Sequence, residues 1–402
     1  MPLSHLTNRE AFRLSGVFLS LVLLLVQGVE AADPYRPSQD DEILEVLPRL
    51  AFASQDELTQ LRRSLAEAPD DETLAVAVAH RYLQFGNDTG DPRFFGYARA
   101  ALKPWWNVAA PSAVILQLRA KLHEKDHLYD LALADLLRLT EQQPQNAQAL
   151  IEIANICRVQ GRYADAWQAC DTLSTFAHEA QVTLCRVPLQ AVTGEAESAY
   201  DALAKIASQA REIWPTAVPW ICVVQAQIAY SLDDTQAAER HFREGLLSSP
   251  NNLQLLRNYA DLLIDLGRNA EAVSLLRNHV QDNGVLLRAA IAAKRDGQAT
   301  LATEWHAQLT SRFEEIRLRG SLPHRRYEAR YELELQGNPQ RALELALENW
   351  EVQRELRDTR NLLEAALAAR DPSSVQHVLE FLQQHRTQDE ILDGLVHQLE
   401  DL

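Results

Sequence analysis

The chain has 402 residues, enough for two or three globular domains or for one long repeat array. Glycine is scarce at 14 of 402, which disfavours turn-rich sheet folds and leans the composition towards helix. With 39 Lys and Arg against 56 Asp and Glu, the net charge of −17 argues against nonspecific nucleic-acid binding and against attraction to an anionic membrane surface.

The N-terminus has the pattern of an export signal. Arg9 and Arg13 precede an apolar run from Leu14 to Val26, and Val29-Glu30-Ala31 offers small residues at −3 and −1 for cleavage before Ala32. The run is about 13 residues long, whereas a spanning helix needs about 20. Residues 1–31 are therefore expected to be a cleaved signal peptide, with an uncleaved anchor as the alternative. No Cys lies near the site, which disfavours a lipoprotein anchor. No later stretch is apolar enough to span a bilayer, so the expected product is soluble and exported, periplasmic in a Gram-negative host. A Pro-containing linker follows at 32–37.

From there the chain reads as repeated helical pairs. A helix is expected over 38–52, and a capping box at Ser54-Gln55-Asp56-Glu57 opens a second that ends near Ala68. The unit from Glu72 has Ala75 and Ala79 for close packing and Gly86 at its turn. An aromatic-rich insertion then runs from Asn87 to Trp106, with a helix starting at Pro92 and stopping before Pro104. Ala113 to Asn146 carries Ala120, Tyr129, Ala132 and Pro144. Ala147 to His178 is the clearest unit: two amphipathic helices, Ala154 and Ala166 at the crossing, and Gly161 at the turn. A looser copy from Gln181 has Gly194, Ala199 and Pro188, the last expected to kink or shorten its helix. Pro219 to Asn252 holds Ala226, Ala238, Phe242 and Pro250; the next unit holds Ala260, Gly267 and Ala272. Asn283 onward has Ala290, Gly297 and Ala302. The unit from Pro323 has Gly337 and Ala342, but Arg330 stands at its first small position. The last pair starts near Arg357, with Asp371-Pro372 in place of a turn glycine, and a capping box at Thr387-Gln388-Asp389-Glu390 opens a final helix.

Small residues at the crossing, an aromatic, a central turn and a terminal Pro at near-34-residue spacing resemble the tetratricopeptide repeat (TPR), most strongly in 113–180 and 219–283. The resemblance implies an all-α solenoid, a right-handed superhelix of about nine or ten helical hairpins. It divides the chain into an N-terminal cap and irregular repeat with insertion (38–110), a TPR array (111–386) and a C-terminal capping helix (387–402). It also implies a non-catalytic scaffold that binds a peptide or protein on a concave face lined by first helices. Mapped onto this sequence, that face comprises Asn155, Arg158, Gln227, Tyr230, Arg257, Asp261, Lys294, Arg295, Tyr327 and Tyr331. Each of these is otherwise an ordinary solvated helix position. The Lys/Asn clamp of chaperone-binding members is not reproduced. The signal peptide makes the chain similar to exported bacterial TPR proteins. The block from Asp91 to Trp106 resembles one in members encoded beside metal-transporter-like membrane proteins, implying an envelope or membrane-transporter-associated partner.

Three clusters are candidates for chemistry or contact. His123-Glu124-Lys125-Asp126-His127 matches HExxH, in which two His one helical turn apart bind zinc and the Glu is the general base. Lys and Asp occupy its variable positions, no third ligand motif follows, and His127 falls at an expected turn. A surface turn is the favoured reading, and a zinc metalloprotease the alternative. The Arg-rich stretch from Arg317 to Arg330, including Arg325 and Arg326, could hold an acidic group, or it could be a solvated loop with local pairs to Glu314, Glu315 and Glu328. Arg93, Phe94, Phe95, Trp105 and Trp106 are either interface anchors or a satellite core under the insertion. Cys157 and Cys170, on the two helices of one hairpin, are either a disulfide or small buried thiols, while Cys185 and Cys222 have no evident role. No motif points to a cofactor or to nucleic acid. A structural spacer without a specific ligand is the remaining alternative.

Overall fold

The computed structural model describes residues 55–318 and 325–402. The signal, the linker and the helix expected at 38–52 lie outside the described residues, as does the join at 319–324. Among the described residues there are twenty α-helices and no strand. In order they are α1 (Gln55–Glu67), α2 (Glu72–Thr89), α3 (Arg93–Ala101), α4 (Ala113–Lys125), α5 (Tyr129–Gln142), α6 (Ala147–Val159), α7 (Tyr163–Ser174), α8 (Glu179–Gln190), α9 (Ala196–Ile213), α10 (Val218–Ser231), α11 (Thr235–Ser248), α12 (Leu253–Asp265), α13 (Asn269–Leu276), α14 (Asn283–Arg295), α15 (Ala299–Leu318), α16 (Arg325–Tyr331), α17 (Pro339–Trp350), α18 (Leu356–Ala369), α19 (Gln376–His385) and α20 (Glu390–Glu400). From α2 to α19 they form nine consecutive hairpins of an α-solenoid, with α20 packed on α18 at the end. No described helix is long and apolar enough to cross a membrane.

Local chemistry repeats from hairpin to hairpin. First helices begin at side-chain N-caps: Ser112, Asn146, Asn252 and Asp282 each accept from the backbone N–H three residues on, satisfying a donor that has no helical partner. They end in a six-to-one capping bond, as from Arg162 N to Cys157 O (2.8 Å) and from Arg268 N to Leu263 O (2.8 Å). Gly161, Gly194, Gly267, Gly297 and Gly337 take the left-handed turn position, as the repeat pattern expects. The small crossing residues Ala120, Ala132, Ala154, Ala166, Ala226, Ala238, Ala260 and Ala272 are all buried, so the two helices of each hairpin approach closely. A larger residue forced into one of these seats would cost about 1–3 kcal/mol by overpacking.

Several expectations need correction. Gly86 is not the turn residue: α2 continues to Thr89 and Gly90 makes the left-handed cap. Gly86 instead lets the ring of Phe95 lie on the helix, since a Cβ there would come within 2.4 Å of it. In α16 the core seat belongs to Ala329, and Arg330 faces the other way. Elsewhere the crossing alanines stand twelve positions apart, as Ala154 and Ala166 do, whereas Ala329 and Ala342 are separated by one more. A π-turn at Glu332–Gln336 takes up the additional residue. The final turn uses Arg370 in the left-handed conformation (φ 56°), ahead of a short 3₁₀ turn at Pro372–Val375.

The disulfide also differs. Cys170 pairs with Cys185, Cα–Cα 5.7 Å, and Cys157 and Cys222 remain free and buried. A second helix is sandwiched between its own first helix and that of the next hairpin, and Cys170 faces forward. The bond therefore staples α7 to α8 rather than α6 to α7.

The hairpin turns also meet distant parts of the chain. A Cβ on Gly90 would touch Asp282 and Leu253, and one on Gly161 would touch Arg354 and Phe381. Gly194 lies as closely against Arg386. Gln353 donates to His127 Nδ1 (2.7 Å) and to the Tyr129 hydroxyl (2.8 Å). Arg354 N donates to Val159 O (2.7 Å), and Ala196 N to Gln388 Oε1 (3.2 Å). The later hairpins thus close against the turns of the earlier ones.

Candidate binding face inside the solenoid

That closure brings first helices from α6 to α18 around one interior. Arg158 on α6 reaches Glu355 at the start of α18 (3.2 Å). Arg326 on α16 binds Glu355 (2.7 Å) and, through two nitrogens, Asp358. Glu355 and Asp358 form the capping box of α18, so the same carboxylates that start this helix hold α16 against it. Asp261 on α12 receives Arg288 from α14 (2.7 Å) and Arg330 from α16 (2.6 Å). Arg257 on α12 donates to the Tyr327 hydroxyl (2.9 Å) and lies 3.6 Å from Asp282. Asp265, at the end of α12, is paired with Arg360 from α18 and accepts from Tyr230 on α10.

The electrostatics match an enclosed but wet space. Burial alone would raise the Glu355 carboxyl, but Arg326 and Arg158 outweigh it and hold the pKa at about 2. Burial likewise opposes ionisation of Asp261, and Arg288, Arg330 and Arg357 pull it well below the usual carboxylate range. Lys125, at the end of α4, is exposed to water, yet burial pushes its ammonium below the normal value, with Glu124 opposing the shift. Exposure combined with desolvation places Lys125 in a protein-walled space that water reaches.

The structure brings most of the expected face residues to this interior and gives many of them internal partners. Asn155 is exposed and accepts from Arg158 (3.0 Å). Gln227 is half-buried. Lys294 and Arg295 both hold Glu334, one through its carbonyl (2.7 Å) and the other through its carboxylate (2.8 Å). Tyr331 is the exception: it is buried, packs on Phe313 and shares a hydrogen bond with Thr310 (2.7 Å), so it belongs to the core.

The three clusters resolve differently. α4 ends at Lys125, and His127 stands past it with φ 56°, so the two histidines do not share a helical face. His123 is buried under Trp106 (ring centroids 5.3 Å), while His127 stacks on Tyr129. Among the described residues no group of three His, Cys, Asp or Glu is placed to hold a metal. Of the Arg-rich stretch, residues 319–324 lie outside the described residues, and the described arginines reach beyond local pairs. Arg317 does lie 3.6 Å from Glu328, but Arg325 pairs with Glu348 (2.7 Å), and Arg326 and Arg330 point into the interior. In the aromatic insertion, Phe94 is buried against Tyr82 and Phe85, and Phe95 packs over Gly86. Trp105 and Trp106 are half-buried, and Arg93 is held by Asp91 (2.7 Å), so packing accounts for the cluster.

Sequence reasoning did not foresee Arg288, Gln353, Glu355, Asp358 or Arg360 in this interior. Arg288 is a cation inside the apolar run from Val285 to Ala293, which was the one signal available, and it is buried at 3% exposure. A second recess, of about 600 Å³, lies on the outer side between α5 and α7 and is lined by Leu133, Leu137, Leu150 and Ile153 among others.

The tetratricopeptide-repeat family matches residues 118–175 and 223–284. Comparison with curated proteins finds no match. Among solved structures, Pseudomonas aeruginosa PilF is 16% identical, with 68% of this chain and 99% of that chain covered and a TM-score of 0.30. Rap protein complexed with competence and sporulation factor is 13% identical, with 86% and 92% covered and a TM-score of 0.44. The family match falls on α4–α7 and α10–α13, where a left-handed turn residue (His127, Gly161, Asp233 and Gly267 in turn) and buried crossing alanines recur from hairpin to hairpin. Over residues 118–175 and 223–284 the chain matches the tetratricopeptide-repeat family, and the described helices on either side continue as an α-solenoid of helical hairpins.

Proposed function

We propose that this chain is a non-catalytic scaffold of the bacterial cell envelope that holds a peptide or protein segment along the inner face of its solenoid. The observation that carries the reading is the convergence of polar first-helix residues, among them Asn155, Arg158, Tyr230 and Arg257, on one interior that water reaches. Such a face can offer hydrogen bonds and charge to an extended chain while the hairpin cores hold its shape. Export by residues 1–31 is part of the proposal. The Cys170–Cys185 bond supports it, because disulfides persist in oxidising compartments. The separation of His123 from His127 favours a scaffold over a metalloprotease.

A photo-crosslinking residue placed at Gln227 or Asn155 in the full chain, in living cells, tests the reading. Discrete adducts are expected from these sites and none from Leu247, an outer residue at 86% exposure. Equal labelling from Leu247, or no adduct from either inner site, would sink it. Phosphatase activity from a fusion after residue 40, lost when Leu14 to Val26 is interrupted by charge, checks export.

A second reading has one observation in its favour: Leu137 is half exposed in the outer recess between α5 and α7. If the partner sits there, Leu137→Asp removes it while inner-face positions give no adduct.

A further inference from the structure

Most of the interior arginines and carboxylates pair off, and Arg357 does not. Asp261 accepts from Arg288 on one oxygen (2.7 Å) and from Arg330 on the other (2.6 Å). Arg357, at the start of α18, comes only to 4.0 Å of the same carboxylate and makes no hydrogen bond among the described residues. Three guanidinium groups from α14, α16 and α18 therefore share one carboxylate. The surrounding acids are already engaged: Glu355 and Asp358 by Arg326, Asp265 and Glu364 by Arg360, and Glu334 by Arg295.

The donors are left over as well. Arg288 is 3% exposed, and its Nε is buried with no partner; the Nε of Arg330 is buried and unpartnered too. A buried guanidinium N–H without an acceptor costs free energy, more so than a neutral group would. Arg357 is different, since 30% of its side chain is reached by solvent. The cluster thus has two fixed arginines behind and one accessible arginine in front. We propose that Arg288, Arg330 and Arg357 around Asp261 form an oxyanion-binding site in the solenoid interior, which takes a carboxylate or phosphate group through the planar fork of Arg357. Planar guanidinium matches either anion bidentately. The inference rests on the inner-face reading and sharpens it: the peptide held there would present an acidic side chain or its terminal carboxylate to Arg357. Burial pushes Arg357 down to about 10, with Asp261 only partly opposing it, which agrees with a cation short of counter-charge.

The probe is inorganic phosphate, titrated calorimetrically into the full chain against sodium chloride of equal ionic strength. Wild type is expected to bind phosphate over chloride, Arg357→Ala to bind at least tenfold more weakly, and Arg357→Lys to fall between them. Because Arg357 makes no hydrogen bond, Arg357→Ala is expected to keep the wild-type melting temperature, which a purely structural role would not allow. If the alanine variant does not fold, the lysine variant carries the comparison. Equal phosphate binding in wild type and variant, or no preference over chloride, overturns the site. A pool of short peptides rich in Asp and Glu then competes with phosphate. Displacement supports a peptide source, and failure to displace assigns the site to a free anion. Gln227 adducts that persist in Arg357→Ala cells would leave the scaffold reading standing after the oxyanion site had fallen.

Discussion

The hairpins α6–α7 and α16–α17 have the same plan and different work. In the first, alanines meet at the crossing, a glycine makes the turn, and Cys157, Ile153 and Leu173 fill a continuous apolar core. In the second, the first helix has only seven residues and passes into a π-turn, and it sends Arg326 and Arg330 across the interior to Asp358 and Asp261. The regular hairpin stacks on its neighbours. The irregular one also reaches α12 and α18, and so helps close the array. Regular repeats build the wall of the interior, and departures from the repeat supply its chemistry.

Removing Asp261 should break the irregular region most. Asp261→Ala leaves Arg288 and Arg330 buried without a counter-ion, a loss of about 3–5 kcal/mol that a urea melt would read. A loss under about 1 kcal/mol would mean that water already serves these arginines.

The regular region is best challenged at its staple. The Cys170–Cys185 bond closes a loop of 15 residues, so Cys185→Ser should cost about 3 kcal/mol under oxidising conditions and nothing more on adding dithiothreitol. Cys157→Ser is the control, expected to leave the reductant-sensitive step intact.

Two turn glycines sharpen the contrast at a smaller scale. Gly267 has φ +72° and open space where a Cβ would go, so Gly267→Ala measures backbone strain alone, about 1–2 kcal/mol. Gly161 has φ +74°, and its Cβ would stand 3.0 Å from Arg354 and Phe381, so Gly161→Ala should lose more. Equal losses in chemical melts of the two variants would deny that the α6–α7 turn is packed under the α17–α18 join.

A further effect is in acid. Glu355 is held at about 2, below its unfolded value, so its contribution is fully present above about pH 4.5 and fades as pH falls towards 2. Glu355→Gln should flatten stability against pH across that window. An unchanged slope would remove Glu355 from the closure.

Local structure was readable from the sequence because it is set by neighbours within one repeat. Spacing of Ala154 and Ala166 and the turn at Gly161 both act over fewer than twenty positions. The closure was not readable. Gln353 meets His127, and Gln388 meets Ala196, across some two hundred residues, and periodicity carries no signal at that range. Arg330 occupied the expected alanine position only because the π-turn after it could not be seen, and a one-residue shift on a helix rotates a side chain by about 100°, out of the core seat. Tyr331 was misplaced by the same shift. Polar character along the inner face was legible, but not which charges would satisfy one another. The cysteine pairing was lost because a second helix has neighbours on both sides, and composition does not say which one Cys170 faces.

The central claim is that the later hairpins close on the earlier ones and wall off the inner face. Glu197 on α9 and Glu390 on α20 are both exposed and flank the contact between Ala196 and Gln388. Spin labels at these two positions report it directly by pulsed electron-spin distance measurement. A single short and narrow distance is predicted for the full chain in solution. A long or broad distribution, as an open solenoid would give, would contradict the closed interior and every site assigned to it.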